Sequence, residues 1–459
     1  MRPVPRGVTL VAALALTAPA AAKPAATKPA AATKAFPFPM ETHSLPNGLR
    51  VVLIPYDSPG LAAYYTLMRV GSRNETEPGR SGYAHFFEHM MFRGTPNHSA
   101  EDWSRTTTRL GLNTNAFTSD DMTVYYLYGP AQALPTVIDY EADRFQNLAY
   151  DEDQFKTEAG AILGEYAKSA SSPELILDET MAATAYARHT YRHTTIGFLD
   201  DVKAMPSGFA YSREFFRRYY TPDNATVIVA GDFDPKATLA HLTTAYGGWK
   251  GKLAATNVPA EPPQTASRHA HVDWKMPTLP RLWLAWHTPG ATDLEATAAQ
   301  TVLGAYLFGT TSPLYQDLVL GRQLVDSMDA TFTPSRDPTL FGVAFRVKQV
   351  ADIETVDKAV RDEIGRIAAG KVDAARLDAV RSNLKYATIL GLDTAQRVAV
   401  RLATTAARTG DLDYMNKLYA HIDRLPPAAL AGFARRWLRD RNCTTLTLST
   451  TGAAAEGGR

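Results

Sequence analysis

His85, Glu88 and His89 stand together in the run His85-Phe86-Phe87-Glu88-His89. Positions i and i+4 of a helix share one face about one turn apart, so two imidazoles placed there can reach one metal ion. Glu88 falls beside that face, where its carboxylate can reach a water at the metal. The order reverses HExxH and still delivers two ligands and one base. The surrounding residues Phe86, Phe87, Met90, Met91 and Phe92 are apolar, which predicts a buried helix. Buried His and Glu need partners, and a metal satisfies all three. The plainer alternative is a pair of core histidines hydrogen-bonded to Glu88.

A catalytic zinc takes three protein ligands and keeps one position open. Residues 157–167 (TEAGAILGEYA) read as a helix that offers two carboxylates, Glu158 and Glu165. They are seven residues apart, two turns, and so project from one face. The helix is otherwise small and apolar, which argues against idle surface charges paired only with Lys or Arg. Either carboxylate suits the third ligand position on spacing alone.

These side chains need elements to hold them. Residues 49–56 and 62–70 are apolar and β-rich and read as strands. Ser81 to Gly94 reads as the metal helix, with Ser81 as its cap and Gly94 as its stop. Residues 113–118 and 123–128 read as a hairpin around Ser119-Asp120-Asp121-Met122. Asp151 to Ser169 reads as a helix and 226–230 as a strand. The stretch 251–269 is rich in Pro, Ala and Thr and lacks periodicity, so it is the expected linker.

The segments on either side of that linker look alike. Phe215, Arg217, Arg218 and Tyr219 are followed by Asn224, Thr226 and a strand; Phe433, Arg435, Arg436 and Trp437 are followed by Asn442, Thr444 and a strand. The step from Phe215 to Phe433 equals the step from Asn224 to Asn442, and the same step lays strand 62–70 over 280–288. One register kept across several features predicts an internal duplication. In the second copy His85, Glu88, His89 and Glu165 fall on Leu303, Tyr306, Leu307 and Asn383, so a second such site is not expected there.

Taken together, these motifs resemble the pitrilysin/insulinase family of inverted-motif zinc peptidases, especially bacterial relatives of the mitochondrial processing peptidase. The resemblance spans about residues 40–450. It implies an α+β fold of two homologous α/β-sandwich domains, each a mixed sheet with helices packed on it. It implies one Zn2+ per chain, with Glu165 as the third ligand and Glu158 behind the ligands. It also implies that Asn115, Ala116 and Phe117 lie on an edge strand that pairs with the backbone of a peptide substrate, by strand addition. His189 and His193 lie in a family-like segment and read as structural. The chain departs from the family at one place. An Arg and a Tyr seven residues on, which hold the substrate carbonyl in relatives, fall here on Val319 and Asp326. Valine has no donor and aspartate repels an oxyanion; Arg322 is at the wrong spacing. A paralogous subunit that supplies the pair is therefore expected, giving a heterodimer, with a homodimer as the other arrangement.

The composition fits this reading. With 459 residues the chain exceeds one ordinary core. Its 48 basic and 47 acidic residues leave a net charge of +1, without the basic excess that nucleic-acid partners select. Arg2, Arg6 and the apolar run from Gly7 to Leu16, followed by Ala20-Ala21-Ala22, read as a signal peptide over 1–22. The run is too short to span a membrane. A flexible Ala/Pro/Lys leader is expected over 23–35, a metal-binding domain over 36–250, a linker over 251–270 and a domain without metal over 271–455. The single cysteine, Cys443, cannot form an intramolecular disulfide. The expected location is periplasmic or secreted. The competing class is a non-catalytic, metal-stabilised binding or assembly subunit.

Overall fold

The computed structural model describes residues 34–450. The expected signal peptide, nearly all of the leader and the last residues of the second domain lie outside the described residues. No described helix is long and apolar enough to cross a membrane.

The first sheet contains β1 (Glu41–Ser44), β2 (Arg50–Pro55), β3 (Leu61–Met68), β4 (Asn113–Thr118), β5 (Thr123–Pro130) and β6 (Ala225–Gly231). Its order is β1-β2-β6-β3-β5-β4, which leaves β4 at an edge. The second sheet contains β7 (Arg268–Trp274), β8 (Arg281–Thr288), β9 (Val325–Phe332), β10 (Thr339–Val347) and β11 (Cys443–Thr450), in the order β7-β11-β8-β10-β9. Removing β1 makes the two orders identical. In both sheets the first pair, β2 with β6 and β7 with β11, is parallel, and the remaining pairs among these five strands are antiparallel. The step from the start of β2 at Arg50 to that of β7 at Arg268 equals the step from Asn224 to Asn442, as does the step from β6 to β11. Two similar units are thus present in topology as well as in sequence.

Eight helices carry the rest of the argument: α1 (Tyr83–Met90), α2 (Glu152–Ser169), α3 (Pro173–Ala185), α4 (Phe209–Tyr219), α5 (Leu294–Phe308), α6 (Ala374–Leu390), α7 (Ala395–Thr409) and α8 (Pro427–Trp437). Helices α4 and α8 keep that same offset from end to end.

The apolar runs of β2, β3 and β6 follow from burial on both faces. Side chains alternate across a strand. Val51, Leu53, Tyr64, Val227 and Val229 enter the core that holds α1 and α2. Val52, Ile54, Tyr65, Ile228 and Ala230 enter a second core, where Val398, Ala399, Leu402, Ala403 and Ala406 of α7 cover them. Helix α7 belongs to the second half of the chain. In return, α3 of the first half lays Leu177, Met181 and Ala185 on β7 and β11. Each half therefore supplies the helix that covers the outer face of the other's sheet.

Three expectations change. Ser81 does not cap α1: its hydroxyl donates to Asp201 Oδ2 (2.6 Å), and Gly82 holds the cap position with φ 91°, a left-handed conformation that glycine adopts without a Cβ penalty. Helix α1 also ends at Met90, before Gly94. The stretch from 251 has no helix or strand up to 267, but β7 begins at Arg268, inside the expected linker. That stretch is tied down. Glu261 accepts the backbone N–H groups of Ala187, Arg188 and His189 (2.8, 2.8 and 3.0 Å), and the Gln264 side chain donates to the Cys443 carbonyl (2.8 Å).

Candidate metal centre and active site

Helix α1 exists because its apolar face is anchored. Tyr83, Phe86, Phe87 and Met90 are buried in the first core, with Phe86 against Phe155 of α2 (4.9 Å between ring centroids). Tyr125 of β5 donates to the Phe87 carbonyl (3.0 Å). The start of α1 is held by Glu75, which is buried and accepts the N–H groups of Gly82 (2.8 Å) and Ala84 (2.7 Å). A carboxylate there satisfies two of the free N–H groups at the helix start. Burial pushes the Glu75 carboxyl up to about 8, against those hydrogen bonds.

The opposite side of α1 presents His85, Glu88 and His89. Helix α2 is fixed by a reciprocal cap: Asp151 accepts the Gln154 N–H (2.8 Å), and the Gln154 side chain accepts the Asp151 N–H (3.0 Å). From α2, Glu165 Oε2 lies 3.7 Å from His85 Nε2 and 3.4 Å from His89 Nε2. One donor atom from each of the three residues falls within 4.8 Å of the others, the single group among the described residues able to hold a metal ion. Two ligands about 2 Å from a tetrahedral zinc stand roughly 3.3 Å apart, and two imidazoles with one carboxylate form a zinc-type donor set. The residues present therefore fit zinc. Burial, helped by the neighbouring His89, holds the His85 imidazole down at about 4, so it is neutral and able to ligate.

Glu158 lies behind this group. His89 Nδ1–H donates to Glu158 Oε1 over 2.9 Å, which turns Nε2 toward Glu165. Arg93, four residues after His89 and past the end of α1, also bonds Glu158. Burial disfavours the Glu158 charge, but His89 and Arg93 outweigh it and hold the carboxyl below its ordinary value. For His89 burial acts downward, and Glu158 with its neighbouring carboxylates reverses it to a net rise. Glu88 is held from the sheet, where Thr118 Oγ1 of β4 donates to Glu88 Oε2 (2.7 Å). Burial raises the Glu88 carboxyl, as suits a proton acceptor that must also release the proton.

A cavity of ≈ 350 Å³ opens beside these groups, lined by Glu88, His89, Phe92, Arg93, Asn115 and Glu158. A larger cleft of ≈ 450 Å³ lies by Glu261 and Trp437, and none of the metal group lines it. Donor chemistry, not volume, locates the site. Asn115, Ala116 and Phe117 lie on edge strand β4. The Ala116 N–H bonds the Asn115 side chain (2.9 Å) rather than β5, so it faces the open edge.

His189 and His193 stand apart from the metal group. His189 pairs with Asp337 (2.9 Å), and His193 lies 3.9 Å from Glu75. Val319 packs against the second core, and Asp326 pairs with Arg346 (3.5 Å). Arg322 is engaged by Asp317 (2.9 Å). The second-copy positions Leu303, Tyr306 and Leu307 are buried in α5, and Asn383 is exposed on α6. Sequence reading assigned no role to Glu75 or Arg93 and did not foresee the contact of Thr118 with Glu88. Arg93 carried a usable signal, four residues after His89 within the expected helix, although α1 ends at Met90, and Thr118 closes the edge-strand motif. Glu75 carried none, since its role depends on a fold-back of the chain.

Known proteins share this fold. Residues 51–197 match the model described as Insulinase (Peptidase family M16), and 211–384 match the Peptidase M16 inactive domain. This chain belongs to the insulinase family. An uncharacterized zinc protease of Streptomyces coelicolor is 28% identical over 409 residues, 85% of this chain and 86% of that protein. The zinc protease PqqE of Helicobacter pylori is 27% identical over 413 residues, 89% and 92% of the two chains. A probable mitochondrial-processing peptidase beta subunit of Arabidopsis thaliana is 25% identical over 411 residues, covering 87% and 76%. The crystal structure of a Helicobacter pylori protease superposes with a TM-score of 0.84 at 27% identity, covering 90% of this chain and 99% of the other. Membership accounts for the two matching sheets.

Proposed function

We propose that this chain is an exported, periplasmic or secreted zinc endopeptidase that hydrolyses peptides or unfolded polypeptides. One observation carries the reading: His85, His89 and Glu165 converge within metal-binding distance while Glu88 stays outside the group with its own hydrogen bond. His85, His89 and Glu165 would hold the zinc. When bound, zinc supplies a Lewis acid that polarises the scissile carbonyl and acidifies water. Glu158 orients His89 through Nδ1. Thr118 occupies one Glu88 oxygen, which leaves Oε1 to take the proton of the attacking water and return it to the leaving amine. The open edge of β4, with Ala116 N–H outward and Asn115 and Phe117 on either side, receives the substrate backbone as an added strand.

The chain supplies no Arg–Tyr pair at Val319 and Asp326, so the oxyanion donors come from a second, homologous subunit, and this chain is the metal-bearing half of a two-subunit peptidase. The test is zinc titration of the isolated chain combined with a peptide-library digest, repeated with a paralogous chain that carries the pair. The proposal requires one zinc per chain and cleavage that depends on the second subunit. Full activity of the isolated chain contradicts the subunit arrangement. No cleavage in either condition, with zinc bound, contradicts the peptidase reading.

A further inference from the structure

The seam between the two halves holds more cations than it pairs. Arg50 and Arg69 donate to the carbonyls of Gly410 (3.3 Å) and Ala407 (3.1 Å) at the end of α7, where helix carbonyls lack partners. Arg73 pairs with Asp337 (2.6 Å). The guanidinium groups of Arg336, Arg401 and Arg408 make no hydrogen bond or ion pair with any described residue. The carboxylates nearby are already engaged. Asp121 accepts from the Tyr191 hydroxyl (2.7 Å) and the Arg336 backbone N–H (2.8 Å), and Asp120 accepts from Ser72 (3.0 Å). Asp337 holds both Arg73 and His189.

Arg401 and Arg408 are two turns apart on α7 and share one face. Both line a cavity of ≈ 220 Å³, with Arg401 exposed at its rim and Arg408 half-buried. Phe332 and Met415 form apolar wall. The hydroxyls of Thr404, Thr405 and Thr409 also line it, but each donates to a carbonyl of its own helix (2.9, 2.8 and 2.8 Å). The guanidinium groups are therefore the free donors of this space. Burial holds Arg408 below its ordinary value against the nearby Asp121 and Asp120 charges, and the Arg401 charge adds a smaller push in the same direction. A half-buried cation with no carboxylate in direct contact is costly, and an anion in the cavity lowers that cost.

We propose that the cavity under α7 is an oxyanion site in which Arg401 and Arg408 together hold a small carboxylate, phosphate or sulfate group. Two guanidinium forks match the paired oxygens of such ions. The site is separate from the metal group, and its occupancy screens the repulsion along the seam where α7 covers the first sheet.

The test is a thermal melt of the full zinc-loaded chain with increasing sodium sulfate against sodium chloride at matched ionic strength. Phosphate and acetate form further arms. A saturable rise in melting temperature with sulfate or phosphate assigns a tetrahedral anion; one with acetate alone assigns a carboxylate. In Arg401→Gln the concentration for half-saturation rises about tenfold, and in Arg401→Gln/Arg408→Gln saturation is lost. Because Arg401 is at the rim, its variant decides the matter even if Arg408→Gln fails to fold. The proposal is overturned if none of the anions acts differently from chloride, or if Arg401→Gln responds as the parent does.

Discussion

Thr118 Oγ1 donates to Glu88 Oε2 over 2.7 Å, so the strand that would receive substrate also holds the residue that would move the proton. Binding and chemistry share one contact. Replacing Thr118 with Val keeps the shape and removes the donor. A hydrogen bond to a charged group contributes about 1.5–3 kcal/mol. The turnover number of Thr118→Val is expected to fall at least about tenfold, with zinc content unchanged. Steady-state kinetics beside metal analysis checks this. An unchanged turnover number removes Thr118 from the account.

The His89–Glu158 contact makes a different prediction, about the metal. Glu158→Gln keeps a side chain of the same size but weakens the partner that orients His89. Zinc affinity is expected to drop about ten- to a hundredfold, measured by competition with a chromophoric chelator. If affinity is unaltered, Glu158 serves only to pair Arg93.

Glu75 gives a prediction in pH. Its carboxyl is pushed from the ordinary 4.5 up to about 8 by burial. The folded chain therefore binds this proton more tightly than the unfolded one, and stability falls with rising pH across that interval. The stabilisation is complete below about 4.5 and lost above about 8. Glu75→Gln is neutral throughout and gives up one helix N–H acceptor. The melting temperature of the parent is expected to exceed that of Glu75→Gln most at about pH 5, and by progressively less toward about pH 8. A difference that does not change with pH contradicts the assignment.

Much of the site was legible because its information is local. The i, i+4 spacing of His85 and His89, the seven-residue spacing of Glu158 and Glu165, and the hairpin ending at Thr123–Pro130 each follow from one element's period. The constant offset that carries Asn224 onto Asn442 was legible as well, and it became the shared strand order of the two sheets. Other features depend on contacts between residues far apart in sequence. Nothing periodic in Pro173–Ala185 or Ala395–Thr409 says that each helix covers the other half's sheet. Ser81 has the residue type of a helix cap, but Asp201, 120 residues away, claims its hydroxyl. Glu261 and Gln264 make an apparently featureless linker into a strap for the same reason.

The central claim is that Glu88 moves the proton while His85, His89 and Glu165 hold the metal. Glu88→Gln separates the two roles within one chain. Zinc stoichiometry and peptide cleavage should be measured together on this variant, assembled with the second subunit. The account predicts one zinc per chain, as in the parent, with cleavage reduced by at least about a hundredfold. Cleavage at the parent rate, or loss of the zinc, would contradict it.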